Sequence, residues 1–317
     1  MLNKKVVGLA AAGCIGAGTA ILILGFILGG RPGYFIDREG VHAAGTVESR
    51  EPYVQKKIKI DEFSSMNIDL EYADLEVIPS DDYYLEYRIE GGNRKPVWSV
   101  KNGKLTFNER EMKGFGSFMV WGTTPFESDG NYKVKIYIPE DKALENVRIS
   151  SDDGDVVLPD LTVQSLSTTC EYGDLGVESL SGDRWDVVMD NGVLKAGNIE
   201  IGKVIVDNEY GDCIFDRVIG DTVKITMDDG GLKVNSMDVR DFRVENEYGD
   251  VELTTTDSWE KYDMDLYTEY GKIILPDGRN CSSRSDDEEQ YRVSNGNDKK
   301  ISVNSDDGDI HINTGKN

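Results

Sequence analysis

The chain has 317 residues, 30% charged and 38% hydrophobic, with 59 acidic against 35 basic side chains and a formal net charge of −24. That length suits one elongated domain or two compact ones. The charge argues against nucleic acid as a partner, and against docking of the polar body on anionic lipid, because both need basic patches.

Lys4 and Lys5 precede Val6 to Gly30, a run of 25 residues with no charge. As a helix this run rises about 37 Å, enough for a hydrocarbon core of roughly 30 Å. The flanking lysines predict a cytoplasmic N-terminus at 1–5, a transmembrane anchor over 6–30 and an exported body. The protein is then single-pass in the cell membrane, with its C-terminal domain extracytoplasmic. A cleaved signal peptide has a shorter apolar core. Lipidation at Cys14 (AAGC) would leave a membrane-like stretch at the head of the mature chain, so the uncleaved anchor is preferred. Residues 31–57 are polar and without period, and read as a juxtamembrane linker.

From Ile58 the pattern becomes that of strands. Met66 and Ile68 precede Ala73 by seven and five residues, and Leu75 and Val77 follow it by two and four. Further strand-like runs stand at 83–90, 96–107 and 132–139, with Gly103 as a weak copy of the corner described next. Between them, 108–130 carries Phe115, Phe118, Trp121 and Phe126 among glycines. Such side chains need cover, which predicts a cap over an open end, or else a partner-contacting loop.

The repeat proper runs over 147–256. The corners SDDGD, EYGD, DNG, EYGD, DDGG and EYGD place Gly154, Gly173, Gly192, Gly211, Gly230 and Gly249 at a constant spacing of 19 residues. Looser copies sit at Gly271 and Gly308. Apolar residues recur at −7 and −5 (Val204 and Val206 before Gly211) and at +2 and +4 (Cys213 and Phe215 after it). Spacing by two is strand alternation. Nineteen residues in one straight strand would run roughly 63 Å, so the unit must wrap as a coil. The prediction is an all-β, single-stranded β-helix or β-solenoid over 58–317, with 19-residue coils, behind one N-terminal transmembrane helix. Residues 276–300 read as a solvated loop before the last copy.

The opening IDEFSSMNIDLEYADLEVIPSDD, the strand YKVKIYIPED and the serial DDGDV, EYGDL and DNGVL corners resemble a bacterial family of membrane-anchored putative-adhesin domains of unknown function. The family is related to the head domain of autotransporter adhesins. The resemblance spans about 58–313 and implies a β-helix-like exported domain on a single anchor. Its motifs are structural corners and carry over no functional residue.

The candidate chemistry lies at the corners. Asp152, Glu171, Glu209 and Glu247 stand at −2, with Asp155, Asp174, Asp212 and Asp250 at +1. Stacked about 4.8 Å apart, such charges repel by about 1 kcal/mol, which a Ca²⁺ ion would relieve. The spacing matches neither an EF-hand nor a nonapeptide β-roll. The plainer reading has these side chains capping corner N–H groups. Tyr172, Tyr210 and Tyr248 alternate with short polar residues at −1, either as packing or as a groove for a partner or glycan.

An enzyme finds little support. The two histidines, His42 and His311, are far apart in sequence, and no nucleophile elbow, phosphate loop or zinc spacing occurs. Cys170 and Cys213 fall in inward columns two coils apart, which predicts free thiols. The expected function is a non-catalytic binding or scaffold module at the cell envelope, with an envelope protein or glycan as partner. The rivals are a polysaccharide-active β-helix enzyme and a sensing or assembly subunit of a membrane complex.

Overall fold

The computed structural model describes residues 34–37, 40–43, 52–91, 95–109, 118–121, 131–278, 281–283 and 288–315. Among them there is no α-helix, and no helix long and apolar enough to cross a membrane. The expected span at 6–30 lies outside the described residues.

Five strands of 17 residues form the centre: Val156–Tyr172, Leu175–Asn191, Leu194–Tyr210, Cys213–Asp229 and Leu232–Tyr248. Each pairs in parallel with the next at an offset of one repeat, so that Val187 faces Val206, Val206 faces Ile225 and Ile225 faces Val244. A straight strand of that length would span about 56 Å. Instead the ladder lapses at Pro159 and again at Gln164, dividing the coil into three runs. These bends change the parity of burial: Leu158 and Leu161, three apart, both point inward. The result is a β-solenoid whose core is a set of stacked columns.

The predicted columns at −7, −5, +2 and +4 are buried throughout the five coils, Trp185 and Phe242 at −7 and Phe215 at +4 being among the largest buried side chains. Further columns join the core, with Val163, Ile201 and Val239 buried on alternate coils. Leu161, Leu180, Ile199, Val218 and Met237 stack on the middle run, and Cys170, Met189, Asn208, Met227 and Asn246 stack at −3. Each large apolar side chain so buried stabilises the coil by roughly 1.5–3 kcal/mol.

Both ends depart from the simple stack. At the first end Ser65–Leu70 lies between Ala143–Ser151 and Lys104–Asn108, parallel to both. Asp74–Ser80 pairs in parallel with Lys133–Pro139, which continues antiparallel to Tyr84–Ile89 and then to Tyr53–Lys59. The body therefore begins at Tyr53, inside the stretch expected as linker. Gly103 is not a corner. Asn102 and Gly103 both take positive φ (52° and 71°), the hallmark of a two-residue hairpin joining Val97–Lys101 to Lys104–Asn108. Leu105 and Phe107 accordingly face Met66 and Ile68.

At the other end the order of the last two copies is reversed in space. Leu232–Tyr248 pairs with Lys299–Asp307, and Lys299–Asp307 then pairs with Tyr262–Tyr270. The coil around Gly308 is thus inserted between those of Gly249 and Gly271. Part of the segment expected as a loop is a strand: Glu289–Val293 runs antiparallel to Tyr262–Tyr270, held by the Arg292 guanidinium on Asp265. In a separate unit, drawn from residues 1–50 and 112–130, the described residues form three short strands. There Tyr34–Asp37 pairs antiparallel with Gly40–Ala43 and with Phe118–Trp121. Two of its strands fall in the stretch expected as linker.

Candidate functional site

The corners stack as a ladder of glycines because nothing larger fits. At Gly211 φ is +125°, and a Cβ there would stand 2.1 Å from the Gly192 carbonyl oxygen. The Gly211 N–H donates to the Asp229 carbonyl of the next coil at 2.9 Å, and Asn208 beneath donates its side-chain amide to the Gly211 carbonyl at 2.6 Å. Close approach and positive φ both demand glycine. The spatial order of the ladder is Ala73, Gly154, Gly173, Gly192, Gly211, Gly230, Gly249, Gly308 and Gly271.

That order completes a pattern which the chain order breaks. Read up the stack, the −1 column is Tyr72, Asp153, Tyr172, Asn191, Tyr210, Asp229, Tyr248, Asp307 and Tyr270. Aromatic and short polar side chains alternate without exception across these nine rungs. Tyr172, Tyr210 and Tyr248 are 51–56% exposed, so they stand off the surface. Each is separated from the next by a short Asn or Asp, Asn191 facing Tyr172 and Tyr210, and Asp229 facing Tyr210 and Tyr248. Successive rings are therefore two coils, roughly 9.6 Å, apart.

The −2 column beside it is acidic on every rung and alternates as well: Glu71, Asp152, Glu171, Asp190, Glu209, Asp228, Glu247, Asp306 and Glu269. With one carboxylate per coil the ridge is strongly negative, and it attracts cations.

The +1 aspartates do different work. Asp155 Oδ1 accepts the Asp174 N–H at 2.8 Å, Asp174 Oδ1 the Val193 N–H at 2.9 Å, Asp212 Oδ1 the Gly231 N–H at 2.8 Å and Asp250 Oδ1 the Asp309 N–H at 2.9 Å. Each carboxylate thus binds the backbone of the coil above, at the position where a corner leaves a donor outside the strand ladder. Among the described residues no group of three or more His, Cys, Asp or Glu is arranged to hold a metal ion. The metal candidates consequently divide: Asp155, Asp174, Asp212 and Asp250 are tied to backbone donors, and Asp152, Glu171, Glu209 and Glu247 line the ridge.

The first rung has a device that the sequence reading missed. Glu109 is buried, and its Oε2 accepts the N–H groups of Glu71, Tyr72 and Ala73 at 2.6, 2.9 and 3.2 Å. Three consecutive donors at the end of the ladder, where no further coil supplies carbonyls, converge on one carboxylate. Burial, and then the charge of Glu109, raise the Asp69 carboxyl above its ordinary range. Burial followed by the charges of Glu171 and Asp69 does the same to Asp152.

The other candidates do not join the ridge. Phe118 and Trp121 belong to a strand of the separate unit, while Phe115 and Phe126 lie outside the described residues. Cys170 and Cys213 are free and buried, and burial pushes both thiols up to about 12. His311 is 3.9 Å from Asp309 and has no nucleophilic side chain arranged with it among the described contacts. The ridge offers aromatic faces and carboxylates at a fixed pitch, which is equipment for recognition.

A profile of the Toastrack DUF4097 family matches residues 63–313. Solved structures similar to the chain include a putative lipid binding protein from Parabacteroides distasonis, 16% identical, covering 84% of this chain and 97% of its own, with a TM-score of 0.42. A putative adhesin from Bacteroides fragilis is 13% identical, covering 84% and 98%, with a TM-score of 0.34. A putative cell adhesion protein from Clostridium sporogenes is 12% identical, covering 84% and 100%, with a TM-score of 0.27. No curated protein matches the chain.

Proposed function

The chain belongs to the Toastrack DUF4097 family, and from that premise we propose that it is a non-catalytic binding module held at the cell envelope. The observation that carries this reading is the corner ridge, where carboxylates repeat on every coil and exposed tyrosines on every second one. Catalysis needs one distinct site with tuned groups, whereas here a carboxylate recurs on every rung and a tyrosine on every second one. A repeated surface suits an extended partner, which meets the same contacts again and again. The uncharged run at 6–30 behind Lys4 and Lys5 supports a single membrane anchor with the solenoid outside the cytoplasm.

The test uses the full chain in membranes. Protease added to intact cells should clip the solenoid and leave residues 1–30 protected. The detergent-solubilised protein should then retain an envelope protein or glycan. That capture should fail for a variant with Tyr172, Tyr210 and Tyr248 all changed to Ala. Release of shortened glycan, or capture that ignores the three tyrosines, would overturn the proposal.

A further inference from the structure

The pitch of the tyrosine column points beyond a generic partner. We propose that the ridge docks a basic polyproline II segment, whose prolines seat between the rings and whose Lys or Arg side chains meet the −2 carboxylates. This rests on the binding-module reading above and names the chemistry of the occupant.

Geometry is the first argument. A polyproline II helix has three residues per turn and a rise of about 3.1 Å, so every third residue returns to one face after roughly 9.3 Å. The rings of Tyr172, Tyr210 and Tyr248 recur every second coil, roughly 9.6 Å apart. Over those three rings the mismatch accumulates to only about 0.6 Å. A β-strand repeats one face every roughly 6.7 Å and would drift out of step at the first ring. Asn191 and Asp229 between the rings are short and exposed, so the rings are spaced by small side chains, and aromatic-lined surfaces are what proline-rich segments dock against.

Charge complementarity is the second. The −2 column adds a carboxylate at every coil beside the rings, with Glu171, Asp190, Glu209, Asp228 and Glu247 along this stretch. A cationic side chain there gains both the carboxylate and the face of a tyrosine. A neutral chain would leave the mutual repulsion of the column in place.

The experiment is fluorescence anisotropy on the full-length protein in detergent micelles, with labelled peptides of about fifteen residues built on three-residue repeats. The expected result is binding of (Pro-Pro-Lys) repeats at least about tenfold tighter than (Gly-Ser-Lys) repeats of equal charge, because the rigid helix has less entropy to lose. (Pro-Pro-Glu) repeats should not bind. Peptides with lysine at every second or every fourth position, at equal total charge, should also bind at least about tenfold more weakly. Changing Tyr210 to Ala should weaken binding by about fivefold or more, and Tyr210→Phe should preserve it, consistent with the modest energy of one aromatic contact. Tyr210 is exposed, so a matching thermal melt shows that the fold is retained. Equal binding of all lysine peptides, or indifference to Tyr210→Ala, refutes the polyproline reading in favour of a general polyanion. Capture of a glycan that the Tyr triple variant loses, with no peptide binding, refutes this inference and leaves the wider reading standing. Absence of any tyrosine-dependent ligand removes both.

Discussion

Replacing Gly211 with Ala isolates the stacking of the corners. The new Cβ would lie 2.1 Å from the Gly192 carbonyl oxygen and 2.9 Å from its carbon, both backbone atoms of the coil below. Relief requires the two coils to part locally by more than about 1 Å, since ordinary contact begins near 3.5 Å. Holding Ala at φ +125° costs about 1–3 kcal/mol. Parting the coils weakens the two bonds that cross that gap, from the Gly192 N–H to the Tyr210 carbonyl and from the Leu194 N–H to the Asp212 carbonyl, each worth about 1 kcal/mol. The sum is about 3–5 kcal/mol, which in a domain of this size lowers Tm by roughly 6–20 °C. Gly231 is the control. Its φ is not positive, and its Cβ would meet nothing closer than Asp212 Oδ1 at 3.4 Å. Gly231→Ala should therefore change stability by less than about 1 kcal/mol, and in the stabilising direction if the unfolded chain dominates. Far-UV circular dichroism melts and urea titrations of both variants make the comparison. If Gly211→Ala melts within about 2 °C of the parent, or the two glycines cost the same, the ladder is not held by close approach.

Asp212→Ala should cost about 1–2 kcal/mol by orphaning the Gly231 N–H, and Asp212→Asn less than half of that, because the amide oxygen still accepts; urea midpoints measure both. Cys170 and Cys213 should resist an aromatic disulfide reagent at pH 8 in the folded protein and react at once in guanidinium, as mapped by mass spectrometry. Native labelling or a bridge between them would contradict the coil register. Asp152 has a folded pKa raised by burial and by Glu171, so its contribution is stabilising at acid pH and is lost as pH rises through the raised value. Asp152→Asn should accordingly raise Tm at pH 7 and leave it nearly unchanged below the ordinary carboxylate range.

The parts of the fold legible in the sequence were those where one physical demand acts on every copy. Gly154 to Gly249 recur without a gap because the approach of coils excludes a Cβ, and the four flanking columns follow because a straight run alternates strictly. The column of Leu161, Leu180, Ile199, Val218 and Met237 is apolar in every copy, yet alternation does not predict it. A bend at Pro159 shifts the parity by one, and nothing in a period of two announces a bend. The −3 column is harder to see, since Asn208 and Asn246 share it with Cys170 and Met189 and are buried only because their amides bind the corner carbonyls. At the candidate site, Tyr172, Tyr210 and Tyr248 were visible from their alternation. The carboxylates at −2 and +1 looked equivalent, and only the backbone partners of Asp155, Asp174, Asp212 and Asp250 separate them. Glu109 was invisible because its three partners at 71–73 lie almost forty residues away and no repeat marks it.

The inserted last coil has a consequence for the order of assembly. Tyr262–Tyr270 emerges from synthesis before Lys299–Asp307, but its place lies beyond that strand. Docked straight onto Gly249 it would set Tyr270 against Tyr248 and Glu269 against Glu247, like upon like. The earlier segment must therefore stay clear until Asp250 and Asp309, 59 residues apart, have met. Closing so long a loop is an entropic delay, and it holds this end back relative to the central coils, whose paired neighbours are only 19 residues apart. Until then the ladder edge of Leu232–Tyr248 is an open template for strands of other molecules. The arrangement works as a latch whose wrong closure is disfavoured by its own side chains.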